Sequence, residues 1–317
     1  VKTVTHEQVS HEELGGAITH TATSGVADRA FSDDVETIAE VRRFIDFLPA
    51  SNREPVPTWP SEDPIDRLEP SLDTLVPADP QKPYDMKELI GKISDEGDFF
   101  ETKPNHAQNI ITGFARIGGA TIGIVANQPL VLAGCLDIAS SRKAGRFVRF
   151  CDCFNIPILT LVDVPGFLPG TDQEHNGIIT HGSKLLYAYA EATVPKLTVI
   201  TRKAYGGAYC VMNSQHTRAD MNFAWPTGQF AVMGPEASVN ILYRRELAQA
   251  EDPDTLREEL TREFEEKFNS PYVAAQMGYI DEVIMPEETR PRLIAALEMC
   301  REKRDTNPPK KHGNIPL

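Results

Sequence analysis

Two glycine-containing turns hold the residues whose types and spacing suit catalysis. The first is Asp163-Val164-Pro165-Gly166-Phe167-Leu168-Pro169-Gly170, directly after the apolar run Ile156–Val162. Its prolines fix part of the path, and its glycines allow backbone conformations that side chains would block. Such a loop can present backbone N–H groups to an oxygen anion. It can equally be a tight structural turn. The second is Arg202-Lys203-Ala204-Tyr205-Gly206-Gly207-Ala208-Tyr209, after the apolar run Lys196–Thr201. Gly206-Gly207 before a helix would leave first-turn N–H groups pointing outward, where they stabilise negative charge. The same pair can serve close packing of helix on strand. Arg202 and Lys203 either approach a phosphate or carboxylate or are charges at a strand end. Asp163 could orient a loop or act as a base, but no paired base or nucleophile is visible. His175, His181 and His216 follow no metal-ligand spacing.

Familiar nucleotide and hydrolase signatures are missing. There is no G-x-G-x-x-G, no G-x-x-x-x-G-K-[ST], no H-E-x-x-H and no G-x-S-x-G. The chemistry must therefore rest on the glycine turns and on the elements that place them. From about residue 107 the pattern alternates strand and helix. Strands are expected at Ile110–Arg116 and Thr121–Ala126 around Gly118-Gly119, at Ile156–Val162 and at Lys196–Thr201. Shorter ones are expected at 219–225, 229–232 and 280–285. Helices are expected at 137–153, 181–192, 236–248, 255–268 and 290–303. A near-continuous apolar strand such as Ile156–Val162 suits a sheet covered on both faces. The whole reads as α/β with repeated strand–turn–helix units, whose glycine turns lie beyond strand ends.

Upstream the pattern differs. Val35, Ile38, Val41, Phe44 (or Ile45) and Leu48 recur at helical spacing, Asp33-Asp34 suit a first turn, and Pro49 ends the helix. Residues 49–83 carry prolines at 49, 55, 57, 60, 64, 70, 77, 80 and 83. That density excludes helices and sheet ladders and predicts a linker or a surface wrap. A short helix follows at 85–93. The expected division is 1–48, a linker at 49–83, and 84–317. The opening, with three histidines and Gly15-Gly16 in its first twenty residues, reads as the interior of a longer chain. The tail Asn307–Leu317 is expected on the surface.

Composition sets bounds on partners. The 317 residues carry a formal net charge of -14, which argues against general affinity for nucleic acid or anionic membrane. No run of about 20 apolar residues exists. Cysteines stand at 135, 151, 153, 210 and 300. Their spacing completes no zinc pattern and predicts free thiols in a reducing compartment.

Specific strings carry a resemblance. They include His11-Glu12-Glu13-Leu14-Gly15-Gly16, Asn127-Gln128-Pro129, Gly134-Cys135-Leu136-Asp137 and Arg146 to Asp152. Asp163 to Gly170, His181 to Ala188, Arg202 to Tyr209, Ala224 to Thr227, Ala231 to Gly234 and His312 to Leu317 continue the set. The chain resembles the carboxyltransferase (beta) subunits of the propionyl-CoA carboxylase and acyl-CoA carboxylase family, in the crotonase superfamily. The similarity runs over essentially the whole chain. It implies a crotonase-like (ClpP/crotonase) fold of β-β-α spiral units. It makes residues 1–48 the remnant of a first carboxyltransferase domain and 84–317 a complete, biotin-side second domain.

The resemblance also implies a reaction. A carboxyl group moves from carboxybiotin to the α-carbon of an acyl-CoA, most simply propionyl-CoA giving methylmalonyl-CoA. Both partners pass through enolates, so two oxyanion holes are needed and little side-chain acid–base chemistry. The family pattern assigns the biotin-side hole to Gly207 and Ala208, with Gly206 beside them in the catalytic set. Gly166 and Phe167 line the same region, and Tyr205, Tyr209 and Leu168 complete the biotin-binding set. Cys210 stands where substrate choice is set. Biotin arrives on a separate carrier domain, supplied by a biotin carboxylase and carrier subunit, and no metal is expected. The implied assembly is a homo-oligomer, a hexamer with sites shared between subunits. It would be cytoplasmic, or in the mitochondrial matrix of a eukaryote. Acetyl-CoA or longer acyl-CoA carboxylation, biotin-dependent decarboxylation or transcarboxylation, and an inactive assembly role are the alternatives.

Overall fold

A computed structural model describes residues 1–268 and 270–316. Leu317, which closes the last motif string, lies outside the described residues. Eight strands form one mixed sheet: β1 (Phe99–Thr102), β2 (Ile110–Ile117), β3 (Ala120–Asn127), β4 (Ile158–Val164), β5 (Lys196–Tyr205), β6 (Met221–Ala224), β7 (Gln229–Ala231) and β8 (Glu282–Val283). The order is β1-β2-β3-β4-β5-β6-β8, with β7 also on β5. β1, β2 and β3 are antiparallel, and every pairing from β3 onward is parallel.

The apolar runs form central strands because both faces of the sheet are covered. In β4, Ile158, Val162 and Val164 join the core under the helices Ile138–Cys153 and Ile178–Glu191. Leu159 and Leu161 point the other way, to the core under Met86–Ile93 and Thr289–Cys300. This is the period-two alternation of a strand with an apolar layer on each side. The helix Ile138–Cys153 starts where Asp137 accepts from the Ser140 N–H at 2.8 Å and Ser140 accepts from the Asp137 N–H at 2.8 Å.

Several expectations change in detail. The strand expected at Lys196–Thr201 runs on to Tyr205. The helix expected at 236–248 is two helices, Pro235–Leu242 and Arg244–Gln249, meeting at Tyr243. The strand expected at 280–285 keeps two residues, Glu282–Val283. β1 was not foreseen: it has four residues after an acidic stretch, and its pairing partner β2 supplies the order. The helix Asp34–Ile45 forms at the expected place, but Val35, Ile38, Val41 and Ile45 of its apolar stripe are exposed. Phe44 turns the other way, onto the rings of Phe100, Phe114 and Phe150.

The proline-dense segment lies against the sheet domain. The Trp59 N–H donates to Gly119 O at 2.8 Å, and Leu72 and Val76 enter the core. A 3-10 turn forms at Pro70–Thr74, against the expectation of no helix in this segment. Proline opens this turn without penalty, because the N–H it lacks would have had no partner there. Among the described residues no helix is long and apolar enough to cross a membrane.

One ion pair ties the two ends of the sheet domain. Asp95 and Arg290 are buried and meet at 2.5 Å. Asp95 also accepts from the N–H groups of Gly118 and Gly119, which turn β2 into β3. Removing one member strands the other charge in the core, which costs about 3–5 kcal/mol. Arg290→Met should therefore lower the unfolding free energy by about 3 kcal/mol in urea titrations. A loss under about 1 kcal/mol, the range of an exposed pair, would show that the pair is not holding the hairpin turn.

Candidate functional site

Both glycine turns emerge at the C-terminal edge of the parallel strands, from the neighbours β4 and β5. The two strands are in register up to Val162 opposite Ile200. Beyond that, Val164 stands opposite Ala204, so β5 carries two more residues than β4. Asp163 fills the irregularity. Its carboxylate accepts from Arg202 Nε at 3.0 Å and from the Lys203 N–H at 3.1 Å, and Arg202 Nη2 lies 3.0 Å away. The Asp163 N–H donates to Asn127 Oδ1 at 3.3 Å, and Asn127 Nδ2 donates to Gly134 O at 3.1 Å. Arg202 further donates from Nη1 to Lys82 O at 2.8 Å, with its guanidinium 5.1 Å from the centre of the Tyr84 ring.

Arg202 is thus committed inside the protein, with 4% of its surface exposed, and its carboxylate partner is Asp163. Lys203 Nζ donates to Pro80 O at 2.8 Å. Burial lowers the pKa of Lys203, against the opposing pull of Asp163. Neither residue reaches outward for a phosphate, one of the two roles their types allowed.

The first turn is fixed on both sides of Phe167. Leu136 N–H donates to Gly166 O at 3.1 Å, and Leu168 N–H donates to Leu136 O at 2.7 Å. The Leu168 amide is therefore already used. The Phe167 ring extends toward the second turn: a Cβ on Gly207 would lie 4.0 Å from its Cε2. Phe167 and Gly207 are brought together, while a Cβ on Gly166 would have nothing within 4 Å.

The second turn begins at Gly206, with φ of 57°. A Cβ there would lie 2.7 Å from Val232 O, just past the end of β7. Glycine is needed at 206 on both counts. The helix Gly206–Val211 follows, and no side chain caps it. Amides of a first turn have no carbonyl of a preceding turn to bond. Gly207 is exposed and Ala208 is buried.

The two tyrosines of this segment face inward. Tyr205 donates to Gln229 Oε1 at 2.6 Å, and Tyr209 lies edge-on to Phe230 at 5.7 Å and His216 at 6.3 Å. The Tyr209 hydroxyl has no hydrogen-bond partner among the described residues, and burial pushes its pKa up. What these residues can offer a bound group is backbone more than side chain. Burial also raises the thiols of Cys210 and Cys135, which keeps both protonated near neutrality. Among the described residues no cluster of His, Cys, Asp and Glu is arranged to hold a metal ion.

A cavity of about 620 Å³ lies elsewhere, between the helices Asp34–Ile45 and Ile138–Cys153. Phe44, Phe100, Phe114, Phe147 and Lys143 line it, and neither glycine turn does. Lys143 Nζ is engaged there by the carbonyls of Lys103, His106 and Ile110 at 2.8–3.0 Å. The site of interest is an edge built by strand ends, not an enclosed pocket.

A family model described as the carboxyl transferase domain matches residues 1–315. The chain belongs to the carboxyl transferase family. Over 317 residues it is 62% identical to the propionyl-CoA carboxylase beta chain of Roseobacter denitrificans, covering 100% of this chain and 61% of that one. Against the mitochondrial propionyl-CoA carboxylase beta chain of Homo sapiens it is 54% identical over 321 residues, covering 100% of this chain and 57% of that one. A solved structure of transcarboxylase 12S, a hexamer with methylmalonyl-coenzyme A bound, superposes with a TM-score of 0.96 at 49% identity. It covers 100% of this chain and 61% of that one. The chain thus spans about three-fifths of the length of the relatives it matches. The fold is the crotonase-like α/β fold of this carboxyl transferase family.

Residue types did not disclose the Asp163–Arg202 link or the Asn127 support behind it. Their only sequence trace was membership in the family strings around Asn127, Asp163 and Arg202. The two turn glycines differ physically, which gives a direct check. Gly206→Ala should cost about 1–3 kcal/mol through its φ and the Val232 carbonyl. Gly207→Ala, in ordinary backbone and at no closer than van der Waals contact with the Phe167 ring, should be neutral or stabilising by about 0.4–1 kcal/mol. Denaturant midpoints of the two variants measure this, and equal losses at both positions would contradict the geometry.

Proposed function

We propose that this chain carries the biotin-facing half of a carboxyltransferase site. The reaction is transfer of a carboxyl group from carboxybiotin to the α-carbon of a short-chain acyl-CoA, with propionyl-CoA the acceptor. The observation that carries it is the apposition of the Gly207 helix start with the Phe167 turn. It occurs in a chain 62% identical to a propionyl-CoA carboxylase beta chain.

Bound carboxybiotin supplies the activated carboxyl group. As that group leaves, negative charge develops on an oxygen, and fixed donors must already face it. The N–H groups of Gly207 and Ala208 are the donors, and the missing side chain at Gly207 lets a ring system approach the backbone. Gly166, Phe167 and Leu168 form the opposite wall. Gly206 holds the turn, while Tyr205 and Tyr209 anchor it through their buried rings. The set fits a neutral bicyclic urea, because the charged residues ahead of the second turn, Arg202 and Lys203, are engaged by Asp163, Lys82 and Pro80. Cys210, half-buried and neutral, borders the acyl end and sets chain length.

In this reading residues 1–48 belong to a first carboxyltransferase domain, 49–83 connect, and 84–317 are the biotin-side domain. Acyl-CoA is held by a first domain across a subunit interface, and a hexamer completes the sites. The biotin comes on a carrier subunit that works with a biotin carboxylase, in the cytoplasm or the mitochondrial matrix. A second reading, transcarboxylase, is favoured by the superposition on transcarboxylase 12S. It uses the same half-reaction at the same turns and differs in the acyl-CoA donor.

Two experiments test the proposal. The isolated 317-residue chain should not catalyse biotin-dependent decarboxylation of malonyl-CoA or methylmalonyl-CoA; robust turnover would reject the shared-site reading. In the complete enzyme, Gly207→Val should reduce carboxyl transfer by about 10²–10³-fold while folding and assembly persist. Wild-type rates in that variant would remove Gly207 from the site.

A further inference from the structure

We propose that Gly182 is a positioning residue for the biotin-facing turn: it is the seat that holds the Phe167 ring at its distance from Gly207. The inference deepens the functional reading above and rests on it.

Gly182 lies in the first half of the helix Ile178–Glu191 and is buried. Its backbone is helical, so no unusual φ asks for glycine there. Glycine inside a helix is unfavourable relative to alanine. Its presence therefore has a spatial reason. A Cβ at 182 would lie 2.8 Å from both Cε1 and Cζ of Phe167. On the opposite edge, Cε2 of the same ring lies 4.0 Å from the Cβ position of Gly207. The ring is thus held between two glycines, one tight and one at ordinary contact.

Three neighbouring features keep this spacing from relaxing. The Phe167 backbone is pinned on both sides by the bonds to Leu136, at 3.1 and 2.7 Å. The helix Ile178–Glu191 cannot withdraw easily, because it packs on Ile138–Cys153 where a Cβ on Gly145 would touch the Leu185 backbone at 3.5 Å. Gly206 abuts the Val232 carbonyl, whose oxygen would lie 2.7 Å from a Cβ there, which limits the second turn. A methyl group at 182 would therefore push the ring toward Gly207, into the space beside that exposed residue. Gly182 touches no substrate in this account and acts through Phe167.

The test uses the complete enzyme with free biotin as carboxyl acceptor. The variants are Gly182→Ala, Phe167→Leu and the double variant. Leucine lacks the ring atoms that the new methyl would meet. Gly182→Ala should raise the KM for biotin by about ten- to a hundredfold, with a smaller change in the KM for acyl-CoA. The double variant should return to the level of Phe167→Leu alone, a non-additivity expected only of residues in contact. Wild-type kinetics in Gly182→Ala overturns the proposal. So does a double variant no better than Gly182→Ala. If Gly182→Ala fails to fold, recovery of fold and biotin KM on trimming Phe167 supports the seat, and no recovery overturns it. If the rescued defect lies in the KM for acyl-CoA instead, the seat stands and the biotin-side assignment falls.

Discussion

The site depends on one buried carboxylate. Asp163 sits where β4 and β5 fall out of register, and its charge must find donors because it has left water. Arg202 and the Lys203 amide supply them. That demand keeps β5 extended through residues whose side chains would otherwise favour solvent. The strand then delivers Gly206 at the same edge as Gly166. Without the pair, β4 and β5 would still be in register up to Val162 and Ile200, but the stagger by which their turns leave the sheet would lose its support. Arg202 also bonds the Lys82 carbonyl, so the end of the proline-dense segment is fastened to the same junction.

Much of this architecture was legible from residue types. β4 and the first part of β5 showed as uninterrupted apolar runs, and Gly206-Gly207 showed as a helix start. Local cues suffice for such features, because they depend on neighbours a few residues away. The remainder depended on distant partners. β5 looked finished at Thr201 because Arg202 and Lys203 read as surface charges, and their partner lies 39 and 40 residues earlier. β1 needed β2 to define it. The exposed stripe on Asp34–Ile45 shows the reverse limit: periodicity gave the helix correctly but cannot say which face meets the core.

The site itself was the least legible part, for a chemical reason. The donors proposed for it are backbone N–H groups, which every residue except proline carries. Residue type enters only as permission: no side chain at Gly207, none at Gly182, and a positive φ at Gly206. Such a site writes little into local sequence beyond small residues, which pack structural turns just as well. Long shared strings raised the turn pair from one possibility among several to a family feature. The geometry adds that the Phe167 ring of the first turn lies beside Gly207 of the second.

The Asp95–Arg290 pair also orders events in time. The two residues are 195 positions apart. The β2–β3 hairpin and its turn can form early, since their contacts are local. Yet the carboxylate beneath that turn has only the Gly118 and Gly119 amides until the helix Thr289–Cys300 exists. During synthesis the domain must wait with a buried acid half satisfied, or with that corner still open to water. Closure of this corner is therefore a late event, completed by a helix that leaves the ribosome long after the hairpin it secures.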